Sequence, residues 1–461
     1  MIQAEPSSFR DAESRVFIVE DRVLRGFTVS GAEAFLGAHE SGALKRLVDE
    51  RMIVDYTFVS PESVPDISPS ATVIEADWLS FVSVPAEWSF SMLRDAALLT
   101  LSINIELLDH GYILKDASAF NVTFDGSAPI FLDHGSIATI GDTGIWSAYG
   151  QFVNHFLTPL FLEAYANVAF QPRLRGSVEG IPVGEADALL RGAARRRKGV
   201  TTHVVIRSKL ERSTHGYDAE SRSRVAGLAI PRSSIKRTMQ KLYDLVSGLT
   251  SGITGSWTDY ENALPYDQDE YEKKRDLVVD FGRRISGEVL IDVGANTGDF
   301  SRALANSFGQ VLALDADGGA VDRLYRRLTA DGPTSITPLV VDLLNPTPAV
   351  GWANRERSSF FDRARGDLGL WLAVLHHLTI TGGIPLSHSL GLAATLTRHA
   401  VIEFVYPGDP MVELIGATAS PAGAAYDQGV FESEMNARFE ILEVVDVSRT
   451  RQLYFGRSLQ W

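Results

Sequence analysis

The chain has no cysteine among its 461 residues, which excludes disulfides, thiolate zinc sites and cysteine nucleophiles together. It has no run of eighteen uninterrupted apolar residues, so no membrane-spanning helix is expected. Its first residues, MIQAEPSSFRDAESR, lack the apolar core of a signal peptide. The expectation is a soluble, cytoplasmic protein without a membrane partner. Positive charge is also in deficit: the net charge of −15 opposes general attraction to nucleic acid or anionic lipid.

What is present is the composition of an ordinary globular protein, 45% apolar and 22% charged. The length exceeds what one core usually holds, so two domains are expected. Charge is unevenly spread. Residues 171–241 hold sixteen Lys/Arg against six Asp/Glu, which leaves the remainder at about −25. The densest block is Arg195-Arg196-Arg197-Lys198. Such a block is either a solvated helix surface or a site for a phosphate-bearing partner, and no aromatic residues interleave it as base-stacking platforms. Nucleic acid is not the expected partner.

Along the chain, Arg15–Val19 and Val23–Val29 read as a hairpin, and Gly31–Glu50 has helical spacing. Pro61, Pro65 and Pro69 then interrupt the chain. A buried helix is expected over Ser91–His110, closed by Gly111, with further helices over Trp146–Ala169 and Ser233–Leu249. Thr250–Ser256 (TSGITGS) has linker composition. The expected organisation is an N-terminal domain over 1–249, a linker over 250–259 and a C-terminal domain over 260–461.

In the C-terminal region strands and helices alternate. Strands are expected at Glu288–Val293, Val311–Leu314, Ser335–Val341, Gly369–Val374 and Ala400–Val405, with helices at Phe300–Ser307, Ala320–Leu328 and Leu386–Thr397. This pattern means right-handed βαβ units and a parallel sheet covered on both faces. Phe439–Val447 and Gln452–Arg457 then read as an antiparallel hairpin, which a plain dinucleotide-binding fold lacks.

The first of these strands runs into Asp292-Val293-Gly294-Ala295-Asn296-Thr297-Gly298. A strand turning sharply into a helix needs glycine where backbone approaches a ligand. Asn296 stands at the second glycine position of the dinucleotide fingerprint, and Asp292 would repel a pyrophosphate but attract an ammonium or a sulfonium. The second strand ends in Asp315, placed to accept from ribose hydroxyls, and the third in Asp342, placed to receive the adenine amine.

Asp292, Gly294, Asn296, Gly298, Asp315 and Asp342 together resemble motifs I, II and III of the class I S-adenosylmethionine (SAM)-dependent methyltransferases, over about 200 residues. The resemblance implies a Rossmann-like seven-stranded α/β sheet with an antiparallel terminal hairpin and SAM as cofactor. It places Asp292 and the Gly294 backbone at the methionine moiety, Asp315 on the ribose and Asp342 near the adenine. Asn296 departs from the commoner middle glycine.

The fourth strand leads into Leu375-His376-His377-Leu378, beside the methyl in this fold. A histidine suits a general base for an oxygen or nitrogen acceptor, and the alternative is a pair that orders the loop. Glu403 lies in an apolar strand, where a carboxylate is costly unless it is paired or functional. His376, His377 and Glu403 are the catalytic candidates, and Trp257-Thr258-Asp259-Tyr260 is a candidate cover for the cofactor pocket. The Asn/Asp-Pro-Pro-Tyr motif of many amino-group methylators is missing. With Ser448-Arg449-Thr450, this arrangement resembles the bacterial NoeA-like nodulation-protein group over nearly the whole chain, a resemblance that does not supply the acceptor.

The N-terminal region carries Asp116, then Asn121 five residues on, then Asp133 twelve further, after an apolar strand. This spacing resembles the catalytic and metal-binding loops of protein-kinase-like folds. An α+β kinase-like domain is the fold implied. No Gly-rich phosphate loop and no Val-Ala-x-Lys strand accompany it, so the expectation divides between a vestigial site for a nucleotide or the acceptor and a purely structural loop, with no dedicated metal site. The reading is a SAM-dependent methyltransferase acting on a small molecule or glycan intermediate. The alternatives are a scaffold with both folds vestigial and a bifunctional kinase–methyltransferase.

Overall fold

The computed structural model describes residues 4–64, 70–141, 145–214, 231–253, 268–416 and 426–461. The expected pocket cover at Trp257–Tyr260, most of the linker, and Pro65 and Pro69 lie outside the described residues. The chain divides into two compact units. The first comprises residues 1–125, 129–253 and 348–358, and the second 126–128, 254–347 and 359–461.

In the first unit, β1 (Ser14–Val19) and β2 (Arg22–Phe27) form the expected hairpin, with Val16 opposite Arg25. The chain continues through α1 (Val29–Glu40), α2 (Ala43–Asp49), β3 (Tyr56–Val59) and β4 (Thr72–Ala76). The four strands make an antiparallel sheet in the order β1-β2-β4-β3. The helix expected over Gly31–Glu50 is thus two helices, because Gly42 adopts a left-handed φ of 82° between them. Helix α3 (Phe90–His110) starts on a Ser89 cap and ends at Gly111, which is left-handed at φ 90°. Four short strands come next: β5 (Tyr112–Leu114), β6 (Val122–Asp125), β7 (Ala128–Phe131) and β8 (Ile137–Thr139).

The helix expected over Trp146–Ala169 is likewise divided. A short turn at Tyr149–Phe152 passes through a π-helical stretch, Val153–Leu157, into α4 (Thr158–Ala166), which Asn167 stops in a left-handed conformation. Helix α5 (Arg232–Ser247) closes the segment.

The second unit opens with α6 (Gln268–Ile285) and then alternates as expected: β9 (Gly287–Val293), α7 (Asp299–Leu304), β10 (Phe308–Asp315), α8 (Gly318–Asp331), β11 (Ile336–Val340), β12 (Gly366–Trp371), α9 (Leu386–Leu396) and β13 (Thr397–Val405). Helix α10 (Gln428–Arg438) precedes the hairpin of β14 (Phe439–Ser448) and β15 (Arg451–Ser458). The sheet order is β11-β10-β9-β12-β13-β15-β14, with β15 antiparallel to both neighbours. Strand β9 pairs in parallel with β10 on one side and β12 on the other, so the chain reverses direction across the sheet at β9. Open α/β sheets bind ligands at such a switch point, outside the carboxyl ends of the strands.

The apolar strands specify this layer. Leu290, Val311, Leu368 and Val401 pack with Val278 and Phe281 of α6, Leu304 of α7 and Leu324 of α8. Burying side chains of this size stabilises by roughly 1.5–3 kcal/mol each. The fourth strand ends at Trp371, three residues earlier than expected. His376 and His377 therefore lie beyond the strand, leading into a π-helical turn at His377–Thr381.

Candidate cofactor and active site

The turn after β9 is built on backbone conformations that ordinary residues avoid. Gly294, Asn296 and Gly298 have φ of 72°, 48° and 79°. Asparagine is among the few non-glycine residues that enter this region readily, which explains how Asn296 replaces the usual middle glycine. Space is limiting too. A Cβ on Gly294 would lie 2.9 Å from Val374 Cγ2, and one on Gly298 would lie 2.6 Å from Leu324 Cδ1. The Gly294 and Ala295 amides both donate to the Leu314 carbonyl, at 2.8 and 2.9 Å, which ties the turn to the end of β10.

The three expected acids stand at the carboxyl ends of adjacent strands. Asp292, buried in β9, accepts from Ser301 Oγ at 2.6 Å. Burial raises its carboxyl to about 6, against the Ser301 hydrogen bonds. Asp315 ends β10 and accepts from the Asn296 amide at 2.9 Å and the Asp317 amide at 2.8 Å. Burial raises it as well. Asp342 lies just past β11, half-buried, and accepts from the Leu344 amide at 2.9 Å. The Oδ1 of Asn296, within this turn, is buried without a hydrogen-bond partner. A buried carbonyl oxygen without a donor costs about 1–3 kcal/mol unless a ligand satisfies it.

These residues fit a cationic nucleoside such as SAM. The glycines allow close backbone approach, and two carboxylates are held by amides and a hydroxyl. Lys274, the cation acting on Asp292, is itself committed to Glu403 at 2.6 Å.

The catalytic candidates differ in their surroundings. His376 is buried, its Nδ1 has no hydrogen-bond partner, and its ring lies 4.4 Å from that of His377. Burial first, then His377 and Arg451, lower its pKa to about 3, which makes it a weak proton acceptor. Burial lowers His377 too.

Of the two roles open to Glu403, pairing is the one present. It is fully buried, 2.6 Å from Lys274 Nζ and 3.5 Å from Arg451 Nη1. Arg451 in turn grips Asp409 through Nε at 2.8 Å and Nη2 at 3.1 Å, and Thr450 Oγ1 joins at 2.8 Å. Two buried cations and two buried anions thus compensate one another, as charges out of water must. The sequence reading missed Lys274 and Arg451. Lys274 carried a usable signal, since it lies on the helical stripe of Tyr271, Val278 and Phe281, where a solvated lysine does not belong.

In the first unit, Asp116, Asn121 and Asp133 sit on one loop system. The Asn104 Oδ1 receives the Leu114 amide at 3.0 Å, and Gln151 Oε1 receives the Ala117 amide at 2.8 Å. Asp116 accepts from the Ser118 amide at 2.8 Å, and Asn121 Nδ2 reaches Ser136 Oγ at 3.4 Å. Burial, then the neighbouring Asp133, raise the Asp116 carboxyl. Burial works to raise Asp133 too, but Arg25, Ser136 and His134 together hold it below its ordinary value. Arg25 of β2 lies 2.7 Å from Asp133 Oδ1. No sequence signal singled out Arg25, because its partner lies more than a hundred residues away.

Two residues of the basic block, Arg195 and Arg197, have partners within their own unit. Arg195 pairs with Asp187 at 2.8 Å, joined by Arg212 at 2.7 Å, and the Arg197 guanidinium lies 5.6 Å from the Tyr165 ring centre. No described helix is long and apolar enough to cross a membrane.

No protein-family model matches the chain. Among solved structures it is similar to the N-methyltransferase NodS of Bradyrhizobium japonicum WM9, at 14% identity and TM-score 0.31 over 42% of this chain and 98% of that one. It is also similar to the bifunctional kinase-methyltransferase WbdD, at 14% identity and TM-score 0.31 over 47% and 46%. Among curated proteins it is 31% identical to nodulation protein NoeA of Rhizobium meliloti (strain 1021) over 457 residues, 98% of this chain and 95% of the relative. With identity at that level from end to end, the chain belongs to the NoeA family of nodulation proteins.

Proposed function

We propose that the second unit is a class I SAM-dependent methyltransferase and that the first unit, kinase-like in fold, recruits or orients the acceptor. The observation that carries this reading is the carboxyl edge of β9, β10 and β11. There Asp292, Asp315 and Asp342 surround a glycine turn whose Asn296 oxygen is unsatisfied. Asp292 would hold the ammonium of the cofactor, Asp315 its ribose hydroxyls and Asp342 its adenine amine, with the Gly294 backbone against the methionine moiety. When bound, SAM supplies an electrophilic methyl group on a sulfonium. The protein's own work is then to position the acceptor and exclude water.

Of the histidines, His377 is the better candidate to take a proton from an oxygen or nitrogen acceptor, because His376 is held neutral with little basicity. Glu403 acts through Lys274 and Arg451, as a positioning residue behind the site. The acceptor is a small molecule or glycan intermediate, in keeping with an acidic chain whose basic block has no interleaved aromatic residues.

Calorimetric titration with S-adenosylhomocysteine tests the cofactor reading. Binding that Asp315→Ala weakens is expected, and folded protein that gives no heat overturns it. Transfer of label from SAM to an extract fraction separates an enzyme from a scaffold with vestigial sites. The spacing of Asp116, Asn121 and Asp133 on one loop system is what supports the kinase-like reading of the first unit.

A further inference from the structure

A kinase-like centre implies a divalent cation held between carboxylate and amide oxygens. The residues of the first unit do not fit one. Magnesium asks for near-octahedral oxygen ligation, with carboxylates open toward it. Here Asp133 Oδ1 accepts from Arg25 at 2.7 Å and from the Gly135 amide at 3.1 Å, while Oδ2 is taken by the Ser136 hydroxyl. Asn121 turns its amide nitrogen toward that hydroxyl. Among the described residues no three His, Asp or Glu side chains are grouped to hold a metal.

A second cation is supplied from an unexpected part of the chain. Residues 348–358 belong to the first unit although they come after β11 in sequence. Val350 and Arg357 bridge in both directions at 3.1 Å, which closes the segment into a small hairpin. Arg10 holds it through Glu356 at 2.8 Å, and the Trp352 amide donates to Glu356 at 3.0 Å. The Arg357 guanidinium lies 4.9 Å from the Phe120 ring centre, one residue before Asn121. Its Nε is buried without a hydrogen-bond partner. Glu356 first, then Asp116, Asp133 and Glu5, act on it electrostatically. A buried guanidinium among carboxylates, with a donor left unpaired, is a charge placed for its field rather than for one ion pair.

We propose that Arg357, together with Arg25, takes the place that a divalent cation would hold at the Asp116–Asn121–Asp133 centre, and that the first unit loads no metal–nucleotide while the 348–358 hairpin is seated. The inference rests on the kinase-like reading. It makes the centre a metal-free binding module, with the guanidinium as built-in counter-charge to the two aspartates.

The test is manganese binding, followed by electron paramagnetic resonance, and ATP binding with and without magnesium, on the full chain. Wild type is expected to bind neither manganese nor magnesium–ATP at millimolar concentration. Arg25→Ala/Arg357→Gln, which removes both guanidinium groups, is expected to gain metal-dependent ATP binding at least tenfold, and the same pair combined with Asp133→Asn to lose that gain. Equal metal–ATP binding by wild type and folded Arg25→Ala/Arg357→Gln overturns the inference and leaves the kinase-like reading standing. No ATP binding, with or without metal, by wild type, folded Arg357→Gln or folded Arg25→Ala/Arg357→Gln overturns both. Should the variants fail to fold, arginine labelling of wild type with phenylglyoxal decides. Arg357 protected equally with and without manganese–ATP supports the inference, and its exposure by manganese–ATP overturns it.

Discussion

Each unit gathers aspartates at the ends of strands, yet the two groups are neutralised differently. In the first unit Asp133 is bound by a guanidinium, and a second guanidinium lies in its field. In the second unit Asp292 and Asp315 are held by a hydroxyl and backbone amides, and Lys274 is turned away to Glu403. Residue type alone does not distinguish an acid that is a receptor from one that is already satisfied. The position of the neighbouring cations does.

The comparison breaks most severely if Lys274 is removed. Lys274→Met takes from the buried Glu403 a cation that stands 2.6 Å away, and breaking such a pair costs about 3–5 kcal/mol, read as a lower midpoint in urea unfolding. A loss below about 1 kcal/mol would mean that the charges are hydrated and the contrast between the units is weaker than described.

Next is Asp315→Ala. Loss of charge-assisted hydrogen bonds worth about 1.5–3 kcal/mol should weaken S-adenosylhomocysteine binding on the order of ten- to a hundredfold by calorimetry. Asp133→Ala should leave that affinity unchanged, since Asp133 already has its cation.

The protonation of Asp292 sharpens the comparison through pH. Its folded pKa, about 6, lies above the unfolded value near 3.9. Its contribution to stability is therefore fully present below about 4 and lost as pH rises through 6. Cofactor affinity should run the opposite way, weakening as pH falls through 6 and the receptor charge is neutralised. Asp292→Asn should flatten both profiles. Calorimetry and thermal melts between about pH 4 and 8 check this.

The smallest effect comes from glycine. Gly298→Ala meets both a left-handed φ and Leu324 at 2.6 Å, whereas Gly42→Ala meets only the φ, with nothing within 4 Å. The second should cost about 1 kcal/mol and the first clearly more, as compared in urea.

The second unit was largely legible in sequence because its information is local. Apolar strands, the Gly294–Gly298 turn and Asp315 at a strand end are all set by neighbouring residues. Helix α6 went unread because Gln268–Arg275 is dominated by charge, although Lys274 lies on its apolar stripe. The first unit was less legible. Strands β3 and β4 are short, and the long helices are interrupted at Gly42 and at the π-helical stretch before Thr158. Its site depends on Arg25 and Arg357, which converge on Asp133 from 108 residues before and 224 after. No spacing rule links them. The Asp116–Asn121–Asp133 spacing was visible, but not the charges that surround it.

The 348–358 hairpin also bears on the order in which the protein can be finished. Chains emerge from the ribosome N-terminus first, and domains commonly fold as they appear. Here the amino-terminal unit lacks its Arg357 until β9, β10 and β11 have all been synthesised. Nascent chains halted before residue 348 would carry the aspartate centre without that guanidinium, and only the continuing translation of the neighbouring sheet would complete it.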